Sequence, residues 1–342
     1  MPDIGIMFRL NDPVADAGAQ YEAGLMLIEA AEQVGLDSVW ITSHHFNSDK
    51  GTIPSPLLFL AAASQRTRKI RLGAAVVVLT LEDPIRVAED AAIADLIAKG
   101  RLNLGLGSGL EDWAFDAFGI DWEKRHEIFD GKLKTLKRIL AGETLARERR
   151  LHPPASGLLR KIWRVGTEIN DIIRIAEDGD NLLLGASKKR TLTENRKVQA
   201  EAIAKFRRRS RPDQRIATSR YLFAHPDGDE ARRIFGQAPA SPVKKVPGAL
   251  PDSLRYEEAA IIGSPAEIRA ALEADRQIPL LDDLFIQAFP AKLTLDQWTS
   301  SLKLLSTEVF VRSSPLRQTR IPRAGEQEPF NPSDKLLAVS HS

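Results

Sequence analysis

The stretch IRLGAAVVVLTLEDPIRVAEDAAIADLIAKGRLNLGLGSG, residues 70–109, decides the fold. It begins with an apolar, β-branched run at 70–78, which predicts a buried strand. Residues 83–100 follow with helical spacing and open on an Asp-Pro pair, which is typical of a helix start. A second apolar run at 102–109 predicts another strand, ending in a glycine-rich turn. Strand, helix and strand in this order predict a parallel βαβ unit.

The same alternation extends outward from this unit in both directions. Strands are predicted at 4–8, 38–41, 70–78, 102–109, 161–166, 181–185, 214–224 and 282–289. Helices are predicted at 21–35, 55–67, 83–100, 170–179, 191–208, 265–276 and 294–311. Near-continuous apolar strands separated by helices are typical of a parallel sheet covered on both faces. We therefore predict an α/β fold, a (β/α)8 TIM barrel with insertions after strand four and strand seven. A doubly wound open sheet is the alternative.

Three segments do not follow the alternation. Residues 141–160 look like an insertion after the fourth helix, and residues 237–258, with four prolines, look like a loop after strand seven. The polar tail 314–342 is expected to be extended or disordered. The barrel domain is accordingly predicted to span residues 1–313.

Composition narrows the class of protein. The 48 basic and 46 acidic residues nearly cancel, so we expect neither nucleic acid nor an anionic membrane as a partner. The chain has no cysteine, which excludes disulfides and thiolate metal sites. Its start, MPDIGIMFRL, lacks the features of a signal peptide, and no apolar run approaches the roughly 18 residues of a membrane span. A cytoplasmic location is the expectation.

In a barrel, residues that follow the carboxyl ends of strands line the active site. That rule selects Arg9, Asn11, His44, His45, Ala75, Val76, Thr80, Gly107, Ser108, Gly109, Gly166, Thr167, Glu168, Ala186, Ser187, Lys188 and Gln287. Small residues and backbone amides dominate this set, which suits a large flat ligand. A glycine-threonine turn before a helix suits a phosphate at the helix amino end. We find no grouping with metal-ligand spacing, so no metal site is predicted.

Several motifs carry a resemblance to a known family. With the block 70–109, the motifs WITSHHF (40–46), DAFGIDWEKR (116–125) and IIGSPAEIRAAL (261–272) resemble bacterial luciferase-like flavin-dependent monooxygenases. Within that family the chain looks most like the FMN-dependent branch. The resemblance implies a (β/α)8 barrel that binds reduced FMN or, less expectedly, the deazaflavin F420.

The resemblance also implies roles for individual residues. His44 matches the proposed catalytic position, where its imidazole would donate or accept a proton near the flavin, and His45 would support it. Ala75 and Val76 match a strand-three segment with a non-proline cis peptide beneath the flavin ring. The remaining cofactor-binding residues implied by the strand-four and strand-five ends are Gly107, Ser108, Gly166, Thr167 and Glu168.

The activity implied by the resemblance is oxygenation of a small organic substrate by reduced FMN and O2 through a C4a-peroxyflavin. A flavin reductase would be a transient partner, and a homodimer would form through the helices flanking 55–98. Two alternatives stay open: an F420-dependent hydride-transfer oxidoreductase, and a flavin-binding relative without catalysis.

Three positions depart from the family pattern. Ser43 stands where many relatives have an acidic residue, and Thr80 replaces a common proline. Ser108 stands where relatives often have an arginine that faces the phosphate. Lys188 or Arg190 could replace that arginine; otherwise flavin binding would be weak.

Overall fold

Nine parallel strands form one sheet in the computed structural model, which describes residues 2–10, 16–46, 51, 53–187, 189–236, 260–287 and 293–311. The strands are β1 Asp3–Phe8, β2 Ser38–Ile41, β3 Arg71–Val78, β4 Leu102–Gly107, β5 Ile162–Gly166, β6 Asn181–Leu184, β7 Ile216–Ala224, β8 Ala260–Gly263 and β9 Asp283–Gln287. Strand β1 pairs with β2 and β9, and β7 pairs with β6 and β9. Strands β1 to β7 and β9 therefore close a barrel of eight parallel strands, as predicted.

The helices of the described residues surround this barrel. They are α1 Ala17–Gln33, α2 Pro56–Arg66, α3 Pro84–Ile97, α4 Asp112–Phe118, α5 Arg125–Leu140, α6 Ile169–Glu177, α7 Leu192–Arg209, α8 Gly228–Gly236, α9 Pro265–Ala274 and α10 Leu295–Leu304. Helix α3 begins as the sequence indicates, because the Asp83 carboxylate accepts the N–H groups of Ile85 and Arg86. Within the described ranges, no helix combines the length and apolar character needed to cross a membrane.

Aromatic side chains fill the inside of the barrel. The rings of Trp40 and Trp163 meet edge to face with centroids 5.3 Å apart, and Trp40 lies 4.9 Å from Phe285. Ala75 and Val76 pack on this inner cluster from the carboxyl side. The barrel interior is therefore a solid base on which a ligand pocket can form.

An ionic cluster closes the opposite, amino end of the barrel. Arg71 binds Asp3 at 2.9 Å and Asp283 at 2.7 Å. Arg215 binds the same carboxylates at 2.6 and 2.8 Å. These contacts join the first residues of β1, β3 and β9 to the start of β7, so the cluster ties strands that are not neighbours.

Of the three segments that do not follow the alternation of strands and helices, the structure describes the first. Residues 141–160 contain short 3-10 turns and a cis peptide bond between His152 and Pro153. The insertions after strand four and strand seven remain predictions. Residues 237–258 and the tail 314–342 lie outside the described residues.

Candidate active site

A cavity of about 450 Å³ opens at the carboxyl ends of β1 to β5. It is lined by many of the residues that the strand-end rule selects: Arg9, His44, His45, Ala75, Val76, Gly107, Ser108, Gly109 and Thr167. The strand-end rule thus selects residues around the barrel mouth, and the cavity lies on the side formed by β1 to β5.

His44 faces a carboxylate that the sequence did not single out. Its Nδ1 lies 3.4 Å from Oε2 of Glu111, and both side chains are less than one-fifth exposed, at 18% and 16%. The His44 backbone N–H donates to the Ile53 carbonyl, which fixes the strand-two turn. A carboxylate can only accept, so a neutral His44 donates from Nδ1 and keeps the lone pair of Nε2.

Glu111 occupies the position before the first residue of α4, but its side chain does not cap that helix. Its carboxylate turns towards His44 instead. One signal in the sequence could have found it, since Glu111 follows the glycine-rich end of β4 by four residues.

The His45 ring packs against another aromatic side chain. Its ring meets Phe118 edge to face at 5.3 Å, and its Nε2 is buried with no hydrogen-bond partner among the described residues. Burial lowers the pKa of His45, and the neighbouring His44 acts in the same direction, although Glu111 opposes both. The lowered pKa favours the neutral form of the His45 imidazole.

Small residues form one wall of the cavity. The peptide bond between Ala75 and Val76 is cis, as the resemblance implies. A Cβ on Gly107 would lie 2.6 Å from Cγ2 of Val76, so only glycine lets strands β3 and β4 approach this closely here. The wall offers backbone and small side chains to a flat ligand.

Two of the departures from the family pattern are joined in the structure. The Thr80 hydroxyl, which is fully buried, donates to the Ser108 carbonyl at 3.1 Å. Lys132 donates to the carbonyls of Thr80 and Glu82, both at 2.7 Å. A proline at position 80 could not make the hydroxyl contact, so the Thr80 hydroxyl helps to hold the strand-four turn in this chain. Ser43 lines the cavity, and its hydroxyl donates to the Pro54 carbonyl at 3.3 Å.

The end of β5 leads into the amino end of α6, whose N–H groups are not capped by the Glu168 side chain. Glu168 precedes α6 but does not cap it, and its carboxylate binds Arg190 at 2.5 Å. Arg190 also donates to the Thr167 carbonyl at 3.3 Å. The first N–H groups of α6 therefore lie beside Thr167 without a cap from Glu168. Uncapped N–H groups of this kind attract an anion, whereas the Asp171 carboxylate in the same turn opposes one.

Other candidates lie away from the cavity. Gly166, Glu168, Ala186 and Ser187 do not line it, and the Gln287 amide donates to the Met7 sulfur at 3.3 Å. Asn11 and Lys188 lie outside the described residues.

The strand-end rule also missed lining residues that belong to helices. His126 and Asp130 come from α5, and Asp171 and Arg174 come from α6. Arg174 binds Asp171 at 2.8 Å and Asp130 at 3.4 Å. Helical residues on this side carry no motif that would separate them from ordinary surface charge.

A family model and several curated proteins match this chain. The segment 4–282 matches the family model of the luciferase-like monooxygenases. The chain is 37% identical to 4-hydroxyprotoasukamycin monooxygenase of Streptomyces nodosus subsp. asukaensis, over 37% of this chain and 34% of that one. The chain spans less than half the length of the curated relatives it matches.

Solved structures match over almost the whole described chain. The monooxygenase RslO1 from Streptomyces bottropensis is 25% identical, with a TM-score of 0.75 over 91% of this chain and 99% of that one. The oxygenating constituent of 3,6-diketocamphane monooxygenase from Pseudomonas putida, in complex with FMN, is 20% identical, with a TM-score of 0.71 over 90% and 98%. An F420-dependent secondary alcohol dehydrogenase is 17% identical, with a TM-score of 0.64 over 93% and 99%.

The last two similarities show the fold alone, whereas the family model covers most of the chain. This chain belongs to the luciferase-like monooxygenase family.

Proposed function

We propose that this protein is a monooxygenase that binds reduced FMN in the cavity and oxygenates a small organic substrate. The observation that carries the proposal is the His44–Glu111 pair at 3.4 Å, beside the wall of small residues in a luciferase-like barrel. When bound, reduced FMN would supply the two electrons with which one atom of O2 enters the substrate and the other leaves as water.

The residues present fit this cofactor at both of its ends. Ala75, Val76 and Gly107 offer backbone and short side chains against which a flat ring can lie. The open amino end of α6 beside Thr167 would hold the phosphate, which replaces part of what the missing arginine at Ser108 would contribute. Arg190 is occupied by Glu168 and the Thr167 carbonyl, so it would act by positioning this turn.

His44 is the proposed proton-transfer residue. With its Nδ1 proton directed at Glu111, Nε2 is the nitrogen left to take up or release a proton. Glu111 would stabilise the imidazolium after proton uptake. Leu81, Ala114 and Phe115 pack together and line the same cavity, where they would help to exclude water.

The test is replacement of His44 by Ala. The variant should keep its FMN affinity, measured by quenching of flavin fluorescence. The reaction of its reduced FMN complex with O2, followed by stopped-flow absorbance, should slow by about 10²–10⁴-fold. His152→Ala, outside the cavity, is the control. An unchanged oxygen reaction in His44→Ala would remove His44 from the mechanism.

Hydride transfer with F420 is the second candidate, favoured by the fold shared with an F420-dependent dehydrogenase. Titration with each cofactor separates the two hypotheses, because binding of F420 without binding of FMN would support hydride transfer. Binding of FMN without an oxygen reaction would support a relative that has lost catalysis.

A homodimer and a transient flavin reductase are the proposed protein partners. Helices α2 and α3 expose large apolar side chains, namely Leu58, Ile85, Ile93, Leu96 and Ile97. An apolar patch of this kind is typical of a subunit interface. Leu96→Lys should convert the dimer to a monomer in sedimentation velocity, whereas Leu280→Lys, elsewhere on the surface, should not.

A further inference from the structure

We propose that Met7 is an oxidation-sensitive site beneath the cavity, where hydrogen peroxide converts the thioether to the sulfoxide and thereby weakens FMN binding. This inference rests on the proposed function, because peroxide forms when O2 takes two electrons and two protons from reduced FMN and no substrate accepts an oxygen atom. It is carried by the position of the Met7 sulfur and by the side chain that donates to it.

Met7 lies on the inward face of β1, just below the cavity. Successive side chains of a strand point to opposite faces, so Met7 shares its face with Arg9, which lines the cavity. Met7 packs on the same inner aromatic cluster as Ala75 and Val76, which form part of the cavity wall. Met7 is nevertheless partly exposed. A molecule as small as hydrogen peroxide can therefore reach its sulfur.

The Gln287 amide is directed at the Met7 sulfur. Gln287 is the last residue of β9, and its Nε2 donates to the Met7 Sδ at 3.3 Å. A thioether is only a weak acceptor, whereas a sulfoxide is polar and accepts through its oxygen. The donor that the oxidised side chain needs is thus already in place. Without it, a sulfoxide oxygen would lie unpaired against the rings of Trp40 and Phe285, which is unfavourable.

The oxidation is the transfer of one oxygen atom. The sulfur lone pair attacks one oxygen of hydrogen peroxide, and an S–O bond forms as the O–O bond breaks. The proton on the transferred oxygen moves to the departing hydroxide, which leaves as water. Sulfur loses two electrons and the peroxide gains them. A flexible apolar group is thereby replaced by a polar one beneath the cavity wall, and methionine sulfoxide reductases would reverse the change.

The chain offers few other sulfur atoms that peroxide could oxidise. It has no cysteine and three methionines, Met1, Met7 and Met26. Met26 lies on α1 and is 45% exposed, so it serves as the matched control. Peroxide should oxidise both Met7 and Met26, but only the oxidation of Met7 should affect the cavity.

The test treats the full chain with hydrogen peroxide, removes the excess with catalase and locates the sulfoxides by mass spectrometry. Each sulfoxide adds about 16 Da to its peptide. Fragmentation separates Met7 from Met1, which share the tryptic peptide 1–9. The Kd for FMN, measured by quenching of flavin fluorescence, should rise by about tenfold at full Met7 oxidation, as expected for one lost apolar contact.

Two conservative variants separate the effects of the two sulfur atoms. The FMN affinity of Met7→Leu should be the same before and after peroxide, whereas Met26→Leu should lose affinity as the unaltered chain does. Tm is a readout that needs no flavin: peroxide should lower it by a few degrees in Met26→Leu but not in Met7→Leu. Gln287→Leu removes the donor, so peroxide should lower its Tm further than that of the unaltered chain.

A Met7 that stays reduced while Met26 is fully oxidised would overturn the inference. Equal losses of FMN affinity and Tm in Met7→Leu and Met26→Leu would overturn it as well. If Met7→Leu does not fold, the dependence of the Kd on the fraction of Met7 sulfoxide in Met26→Leu decides the outcome. If FMN binds to no form of the protein, the proposed function fails, while the Tm comparison still decides whether Met7 is the sensitive site.

Discussion

Glu111 decides which nitrogen of His44 faces the cavity. The carboxylate lies on the Nδ1 side of the ring, at the beginning of a helix that it does not cap. A hydrogen bond that fixes the tautomer is how a carboxylate commonly prepares an imidazole for proton transfer. We therefore propose that Glu111 positions His44, and the effect can be measured on the imidazole ring itself.

Replacement of Glu111 should release the His44 tautomer. In protein labelled with ¹⁵N-histidine, the neutral ring of His44 should carry its proton on Nδ1. Glu111→Ala should give a mixture of the two tautomers, while Glu111→Gln, which keeps an acceptor oxygen, should retain Nδ1–H. Asp112→Ala is the control, because that carboxylate accepts the Trp113 N–H at 2.8 Å. A His44 ring that stays protonated on Nδ1 in Glu111→Ala would contradict the assignment.

Gly107 is needed for the close approach of β3 and β4. An alanine there would displace the Val76 side chain, since the added Cβ would lie 2.6 Å from Cγ2. We expect Gly107→Ala to lower the free energy of unfolding by about 1–3 kcal/mol and to weaken FMN binding. Gly131→Ala, in exposed space on α5, should instead stabilise the protein by up to about 1 kcal/mol. Urea denaturation measures the free energy of unfolding of both variants. Equal changes in Gly107→Ala and Gly131→Ala would contradict the predicted clash with Val76.

At the scale of elements, the amino end of α6 is the proposed phosphate site. Asn170→Pro removes one N–H from the first helical turn, where proline is tolerated. FMN affinity should fall by roughly 10–100-fold, as expected for a lost charge-assisted hydrogen bond, whereas riboflavin affinity should not change. Asp296→Pro, at the same position of α10, should affect neither. Equal weakening of FMN and riboflavin would place the phosphate elsewhere.

The sequence predicts the barrel strands well because each is a short apolar run bounded by helix signals. Strand β2 is observed at the predicted residues 38–41. Strand β8, Ala260–Gly263, was not predicted; it pairs with β7 outside the closed barrel, so it is not one of the eight alternating units. Helices α4, α5 and α8 were not bounded in advance. Glu111 was missed because its partner His44 is 67 residues away in the sequence, and only the fold brings the two side chains together.

At the scale of the whole molecule, the amino-end ionic cluster closes the barrel. Asp283 is fully buried. Burial raises the pKa of Asp283, but Arg71 and Arg215 outweigh it and leave that pKa below its usual value. The carboxylate therefore contributes stability above its ordinary pKa, and this contribution is lost as pH falls through the lowered value.

Asp283→Asn should destabilise the protein by about 3–5 kcal/mol at neutral pH, because it leaves two arginines short of a buried partner. Glu89→Gln, which breaks an exposed pair with Arg86, should change stability by less than about 1 kcal/mol. Thermal denaturation of both variants checks this. If the two variants lose similar amounts of stability, the ionic cluster is not essential for closing the barrel.

The central claim is that the cavity binds reduced FMN. The most direct measurement is an anaerobic calorimetric titration of the purified protein with reduced FMN, followed by the same titration with oxidised FMN and with F420. We predict saturable binding of one reduced FMN per chain, weakened by Gly107→Ala and by Asn170→Pro. Absence of FMN binding in both redox states would contradict the account.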